Sequence, residues 1–293
     1  MRVVRDGTRS ERIVRSSKGV PGLLAAAGAA AAPVGGPAAG LASRAMRPPT
    51  YIASDMHLGA VPRTTERAFI EFLEHAARDA GSVLLVGDLF DFWFEYGSVI
   101  PGTHFRTLAA LARLVEAGID VTLVGGNHDA WGGRFLREEV GVEFRDRPFR
   151  TTLAGRPALV AHGDGLGGGD LRYRLLKSVL RSRAVILAFR ALHPELGIRL
   201  ARAVSRTETR TDEAATRGRA RFLEEWATAR LHEAEELGWV VCGHCHIPAL
   251  REVEPARYYI NAGDWIRHYS YVRIDEAGVP VMHRWTTAAS DPA

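Results

Sequence analysis

The chain has 293 residues of ordinary soluble composition, 46% hydrophobic and 25% charged, enough to bury a sizeable core in one large domain or two. Two cysteines, Cys242 and Cys245, exclude a disulfide framework and fit a reducing compartment. The formal net charge is +4, but residues 1–46 alone hold seven cations against Asp6 and Glu11. The rest of the chain is near neutral, so no nucleic-acid partner is expected.

Residues 1–46 are Ala/Gly/Pro-rich and lack sustained periodicity. They read as a disordered extension, or as an over-called start with Met46 as the initiator. Leu23–Ala32 is too short and too rich in Ala and Gly to span a membrane, and a continuous Leu/Val-rich signal core is missing. From residue 47 to about 290 the pattern is that of one domain. Tyr51–Ser54 reads as a short strand ending in Asp55-Met56-His57. Thr64–Arg78 carries apolar residues at helical spacing, with Thr64 or Thr65 as its cap. Val83–Val86 is a second strand, running into Gly87-Asp88-Leu89-Phe90-Asp91, and Thr103–Ala117 a second helix stopped by Gly118.

The third strand, Val121–Val124, turns through two glycines into Asn127-His128-Asp129. Leu159–Ala161 ends in His162-Gly163-Asp164. After a long helical region, Trp239–Cys242 ends in Gly243-His244-Cys245-His246. Leu250–Val253, Arg257–Asn261, Tyr269–Ile274 and Val281–Trp285 follow as strands expected to pair antiparallel.

Five strand ends therefore supply Asp55 and His57, Asp88, Asn127, His162, and His244 and His246. A period-2 step on an extended chain would put Asp55 and His57 on one side, and likewise His244 and His246. Imidazole, carboxylate and amide oxygen suit a borderline divalent ion, and seven such groups exceed one tetrahedral site. They suit two ions roughly 3.5–4 Å apart, sharing a carboxylate. Asp88 is the natural bridge because it stands alone on the middle strand.

Simpler readings fail on context. Cys242-Gly243-His244-Cys245 matches a redox Cys-x-x-C, but that motif needs a following helix, and Pro248 and an extended stretch follow instead. The glycines around 165–169 lack the Lys-Ser/Thr of a phosphate loop. His75, His193 and His232 fall in helical patterns as surface or packing residues.

The ordered blocks Asp-x-His, Gly-Asp-x-x-Asp, Gly-Asn-His-Asp, His-Gly-Asp and Gly-His-x-His resemble the calcineurin-like metallophosphoesterases over residues 50 to about 265. The resemblance implies an α/β fold, a four-layer αββα sandwich, with two divalent ions, commonly manganese. By that resemblance Asp55, His57, Asp88 and His246 hold one ion, and Asp88, Asn127, His162 and His244 the other. His128 would be a charge stabiliser and proton donor, oriented by Asp129.

The scaffold leaves the substrate open, so the insert at about 170–210 matters. Leu171–Arg206 is apolar on one helical face and carries nine cations against Glu195 alone. That suits an anionic amphiphile or an anionic bilayer surface, and equally a helical hairpin with a solvated basic face. The finer pattern resembles the UDP-2,3-diacylglucosamine pyrophosphohydrolases of lipid A synthesis. It comprises His162-Gly163-Asp164, Asp170 and Tyr173, the basic insert, Arg202-Ala203-Val204-Ser205, Gly-His-x-His-x-Pro and Gly263-Asp264-Trp265.

The resemblance implies a helical lid receiving acyl chains, with Asp170, Tyr173, Arg202 and Ser205 binding the head of a nucleotide-sugar lipid. It also implies a cytoplasmic enzyme, peripheral on the inner face of the membrane. Two features depart from the pattern. The better-known branch has Arg where His128 stands, and lysines expected just after Ser205 are missing, with Thr209 and Asp212 near those positions. The expected reaction is metal-assisted hydrolysis of the pyrophosphate to UMP and diacylglucosamine 1-phosphate. The alternatives are a metallophosphoesterase for a soluble diester or nucleotide, and a non-catalytic metal-binding scaffold.

Overall fold

The computed structural model describes residues 2–6, 10–14, 45–96, 99–166, 171–205 and 213–286. Two sheets run through it. The larger has the order β1 (Arg2–Asp6), β2 (Ser10–Val14), β13 (Pro280–Trp285), β12 (Ser270–Ile274), β3 (Thr50–Ala53), β4 (Ser82–Val86), β5 (Asp120–Val124) and β6 (Glu143–Arg145). Its strands β3 to β6 are parallel. The smaller has the order β10 (Ala249–Glu254), β11 (Arg257–Asn261), β9 (Trp239–Cys242), β8 (Arg156–Val160) and β7 (Phe149–Leu153).

Side-chain alternation explains why the inner strands read as unbroken apolar runs. On β4, Val83 and Leu85 face one core while Leu84 and Val86 face another. On β9, Trp239 and Val241 join the latter core, and Val240 and Cys242 a third. Both faces of each sheet are thus covered, and amphipathic alternation is suppressed. The first core is closed by α1 (Arg63–Ala76), through Phe69, Phe72 and Leu73, and by α2 (Phe105–Glu116), through Leu108, Leu111 and Leu114. The second lies between the sheets. The third is closed by α7 (Glu213–Glu233), through Leu223, Ala227 and Leu231. The layers are helix, sheet, sheet, helix, as expected.

Several local expectations need correction. The four C-terminal strands divide between the sheets, and β11 pairs parallel with β9 as well as antiparallel with β10. Among the described residues before Met46, β1 and β2 pair with each other and β2 with β13. β2 lies on the edge of the sheet that β13 offers, and β1 adds to β2. The N-cap of α1 is Pro62, which has no side-chain acceptor; Thr64 and Thr65 lie inside the first turn, and the Thr65 hydroxyl pairs with Tyr269 Oη at 2.8 Å. The five-residue helix α3 (Arg134–Glu138) was unforeseen.

The insert folds as α4 (Leu171–Leu180), α5 (Arg183–Arg190) and α6 (Pro194–Ser205). It is anchored beside the β5 end. Trp131 Nε1 donates to Leu180 O at 3.1 Å, Arg181 Nη2 donates to Gly126 O at 3.1 Å, and Phe189 packs on Phe94 with ring centres 4.5 Å apart. Among the described residues no helix is long and apolar enough to cross a membrane.

Candidate metal centre

The carboxyl ends of β3, β4, β5, β8 and β9 converge, as open parallel sheets arrange their sites. Asp55, Asp88 and His162 are almost fully buried, and their polar atoms face one another. His162 Nε2 lies 3.1 Å from Asp88 Oδ2 and 3.3 Å from Asn127 Oδ1. His246 Nε2 lies 3.4 Å from Asp55 Oδ1 and 3.3 Å from His57 Nε2. His57 Nε2 is 3.7 Å from Asp88 Oδ2. Three groups, Asp55/His57/His246, His57/Asp88/His128 and Asp88/His162/His244, each bring their donor atoms within 4.8 Å of one another. Asp88 and His57 are each shared by two of them.

The backbone explains how the spacing works, and it differs from the extended chain expected. Asp55, His57, Asp88, His244 and His246 all have positive φ, between 46° and 69°. The side chains converge through left-handed turns, a costly conformation for non-glycine residues that is held where the surroundings enforce it. Two glycines allow the crowding. A Cβ on Gly126 would stand 2.0 Å from Asp88 Oδ1, and one on Gly87, whose φ is +83°, 2.2 Å from His162 Nδ1.

The donor set fits divalent ions. Val86 O can only accept, so the 2.9 Å contact with His162 Nδ1 fixes a proton on that nitrogen. Nε2 then faces two oxygens and needs either a second proton or a cation between them. Without an ion, burial opposes the charge on His162, but Asp88 and Asp55 raise its basicity well above the usual range. Burial pushes the His57 imidazolium down to about 3 and that of His244 to about 4, so both rings offer neutral nitrogens. Burial pushes Asp55 up to about 6, the mark of a carboxylate crowded away from water.

Asp129, expected to orient His128, accepts from backbone N–H groups. Its Oδ1 accepts from Gly126 N at 2.7 Å and Asp88 N at 3.3 Å, and its Oδ2 from Leu89 N at 2.7 Å and Phe90 N at 3.4 Å. It clamps the turns after β4 and β5 together. Against His128 Nδ1 stands Asp91, whose backbone oxygen lies 2.8 Å away and whose Oδ1 lies 3.6 Å away. The second Asp of Gly-Asp-x-x-Asp was the signal for this role. Asp264, in the Gly-Asp-Trp block, was also left without a role. Its Oδ2 is 3.5 Å from His246 Nδ1, and its Oδ1 accepts from Arg267 N at 2.8 Å and His268 N at 2.9 Å. That is how an outer carboxylate aims a ligating imidazole.

The donors open on a cavity of about 430 Å³, whose other walls include Thr216, Arg217, Arg219, Ile266 and Arg267. None of those five was foreseen. Of the expected substrate residues, Asp170 lies outside the described residues. Tyr173 belongs to α4, and Arg202 and Ser205 to α6, with side chains outside what is described.

Two sheets meeting at a nest of seven metal-type donors define a phosphoesterase scaffold, and residues 48–248 match the calcineurin-like phosphoesterases; the chain belongs to that family of hydrolases. Among curated relatives, a UDP-2,3-diacylglucosamine hydrolase from Porphyromonas gingivalis is 30% identical over 249 residues, covering 77% of this chain and 94% of its own. Proteins of the same name from Ectopseudomonas mendocina and Pseudomonas fluorescens are 31% and 30% identical. Each covers 78% of this chain, and 94% and 92% of its own length.

Proposed function

We propose that this protein hydrolyses the pyrophosphate bond of UDP-2,3-diacylglucosamine, releasing UMP and 2,3-diacylglucosamine 1-phosphate. The observation that carries this reading is the position of the insert. Its cationic helices are fastened beside the metal centre by Trp131 and Phe189, yet they leave Leu175, Leu187, Leu196 and Leu200 more than half exposed. Apolar surface beside a polar phosphate-handling cavity suits an amphiphile better than a soluble diester. The shared name of the relatives supports the same substrate.

In this reading Asp55, His57, Asp88 and His246 hold one ion, and Asp88, Asn127, His162 and His244 the other, with manganese the proposed metal. When bound, two such ions lower the pKa of water and neutralise charge on the phosphoryl oxygens. With Nδ1–H held by Asp91 O, His128 donates from Nε2 to a phosphoryl oxygen as the doubly protonated imidazolium, the form in which it is a charge stabiliser and proton donor. The leaving group is itself a phosphate and departs without full protonation. His128 therefore contributes about 10²–10⁴ in rate, the range of a positioned acid. The insert acts as the lid for the acyl chains, with Asp170, Tyr173, Arg202 and Ser205 around the sugar. Arg183, Arg190 and Arg199 hold it to the anionic inner face of the cytoplasmic membrane.

The test is UMP release from UDP-2,3-diacylglucosamine by manganese-loaded protein, with bis(p-nitrophenyl) phosphate in parallel. Efficient lipid turnover that collapses when the acyl chains are shortened is the expected result. Turnover of the diester alone would overturn the substrate assignment and favour a soluble-ester phosphoesterase.

A further inference from the structure

Helix α7 lines the same cavity as the metal donors, and its arginines are not equivalent. Arg217 Nη1 lies 3.2 Å from Glu213 Oε2, Arg221 Nε lies 3.8 Å from Glu225 Oε1, and Arg230 Nη1 lies 2.8 Å from Glu233 Oε2. These are ordinary helix-surface pairs one turn apart. Arg219 is the exception. Among the described residues it has no carboxylate within ion-pair distance, and its one hydrogen bond is a long one, Nη2 to Thr216 Oγ1 at 3.5 Å. Its Nε is buried without an acceptor, as is that of Arg230, but Arg230 is paired with Glu233 and does not line the cavity. The side chain lines the same cavity as Asp88, Asn127 and His244.

A half-buried guanidinium with an unpaired N–H is unfavourable unless something completes it, since leaving a buried donor unmade costs more than a typical hydrogen bond returns. The Nε is closed to the cavity as well as to water, so a ligand meets the part of the guanidinium that lines the cavity. A cation there with no carboxylate partner suits an anion drawn in by the metal donors, which describes a phosphoryl group. The reacting phosphoryl belongs with the metal donors. A pyrophosphate brings a second phosphoryl one bridging oxygen away, and that group meets a wall lined by Asp88, Asp91 and Asp264 unless a fixed cation faces it.

We propose that Arg219 grips the second, non-reacting phosphoryl group of a pyrophosphate substrate, and so separates pyrophosphate diesters from esters with a single phosphorus. The assignment rests on the pyrophosphate part of the proposed function and does not depend on the lipid part.

Calorimetry on the manganese-loaded full chain, dialysed free of excess metal, tests it with UDP and UMP as two- and one-phosphoryl probes. The wild type is expected to prefer UDP by about 30-fold, the worth of a charge-assisted pair. R219Q should reduce that preference to about threefold or less with an unchanged metal-to-protein ratio. R219K, which keeps the charge but not the fork, should fall between. The ratio of kcat/KM for UDP-2,3-diacylglucosamine over bis(p-nitrophenyl) phosphate should fall in step.

Retention of the UDP preference in R219Q refutes the assignment. So does an equal loss of both nucleotides, or a loss of metal, because each marks a merely structural role. If R219Q does not fold, R219K binding UDP as the wild type does is the refuting outcome. A wild type inert toward the lipid but showing an Arg219-dependent UDP preference would sink the lipid substrate and leave the subsite standing.

Discussion

Gly126→Ala isolates the contact on which the metal centre depends. The added Cβ would lie 2.0 Å from Asp88 Oδ1 and 2.7 Å from Asp88 Cγ, against an ordinary contact of 3.4 Å or more. The Gly126 backbone is outside the left-handed region, so alanine brings no conformational penalty of its own and the effect is steric. The carboxylate must retreat by more than about 1 Å, and the Asp88 backbone N, 2.7 Å from the added Cβ, must shift as well. It is held by His128 N at 3.0 Å and faces His162 Nε2 at 3.1 Å, so retreat breaks both contacts. Misplacing a reacting group by about 1 Å costs on the order of 100-fold in rate. Overpacking a tight site costs about 1–3 kcal/mol in stability. We expect the purified variant to fold with a lowered urea midpoint, to carry less metal per chain, and to hydrolyse bis(p-nitrophenyl) phosphate about 100-fold more slowly. A variant with two metals per chain and a rate within threefold of wild type would show that Gly126 is not the space the centre needs.

Three further substitutions and one chemical treatment probe separate links. Gly218→Ala lies on α7, where a Cβ would meet nothing within 4 Å, so it should stabilise the chain by about 0.5–1 kcal/mol. A urea midpoint that fails to rise would contradict that. Asp129→Ala strips the acceptor from four backbone N–H groups and should cost about 2–4 kcal/mol in urea unfolding. His128→Ala should lose rate with little change in midpoint, and identical behaviour of the two variants would restore Asp129 as the orienter of His128. Cys242 and Cys245 are 0% and 1% exposed, and burial raises the Cys242 thiol far above its ordinary range. Neither should react with a thiol reagent at pH 8 until the chain is unfolded, when both should. A fast-reacting native thiol would reopen the redox reading of this Cys-x-x-C.

Most of the fold was legible because buried parallel strands leave a strong mark. Val83–Val86 and Trp239–Cys242 are covered on both faces and read as continuous apolar runs. β6 and β7 were missed because they are short and half exposed: Glu143-Phe144-Arg145 buries one side chain of three. The partnering of the C-terminal strands was misjudged because hairpin logic is local, while β11 is placed by β9, fifteen or more residues upstream. The seven donors could be read because each ends a strand. Asp91 and Asp264 were visible in the motifs, but their tasks depend on which imidazole nitrogen they meet. Arg219 left no mark in the sequence, since its distinction lies in what it fails to touch.

The donors come from both sheets: Asp55, His57, Asp88 and Asn127 follow β3 to β5, while His162, His244 and His246 follow β8 and β9. Direct backbone-to-side-chain contact across this edge includes His244 N to Asp55 at 2.9 Å. Ions seated here would join the two halves of the molecule, and affinity for the native chain alone becomes resistance to opening. At a thousandfold excess over the dissociation constant this amounts to about 4 kcal/mol. The supply of divalent metal in a cell would then govern how long each molecule survives proteolysis, and not only how fast it turns over.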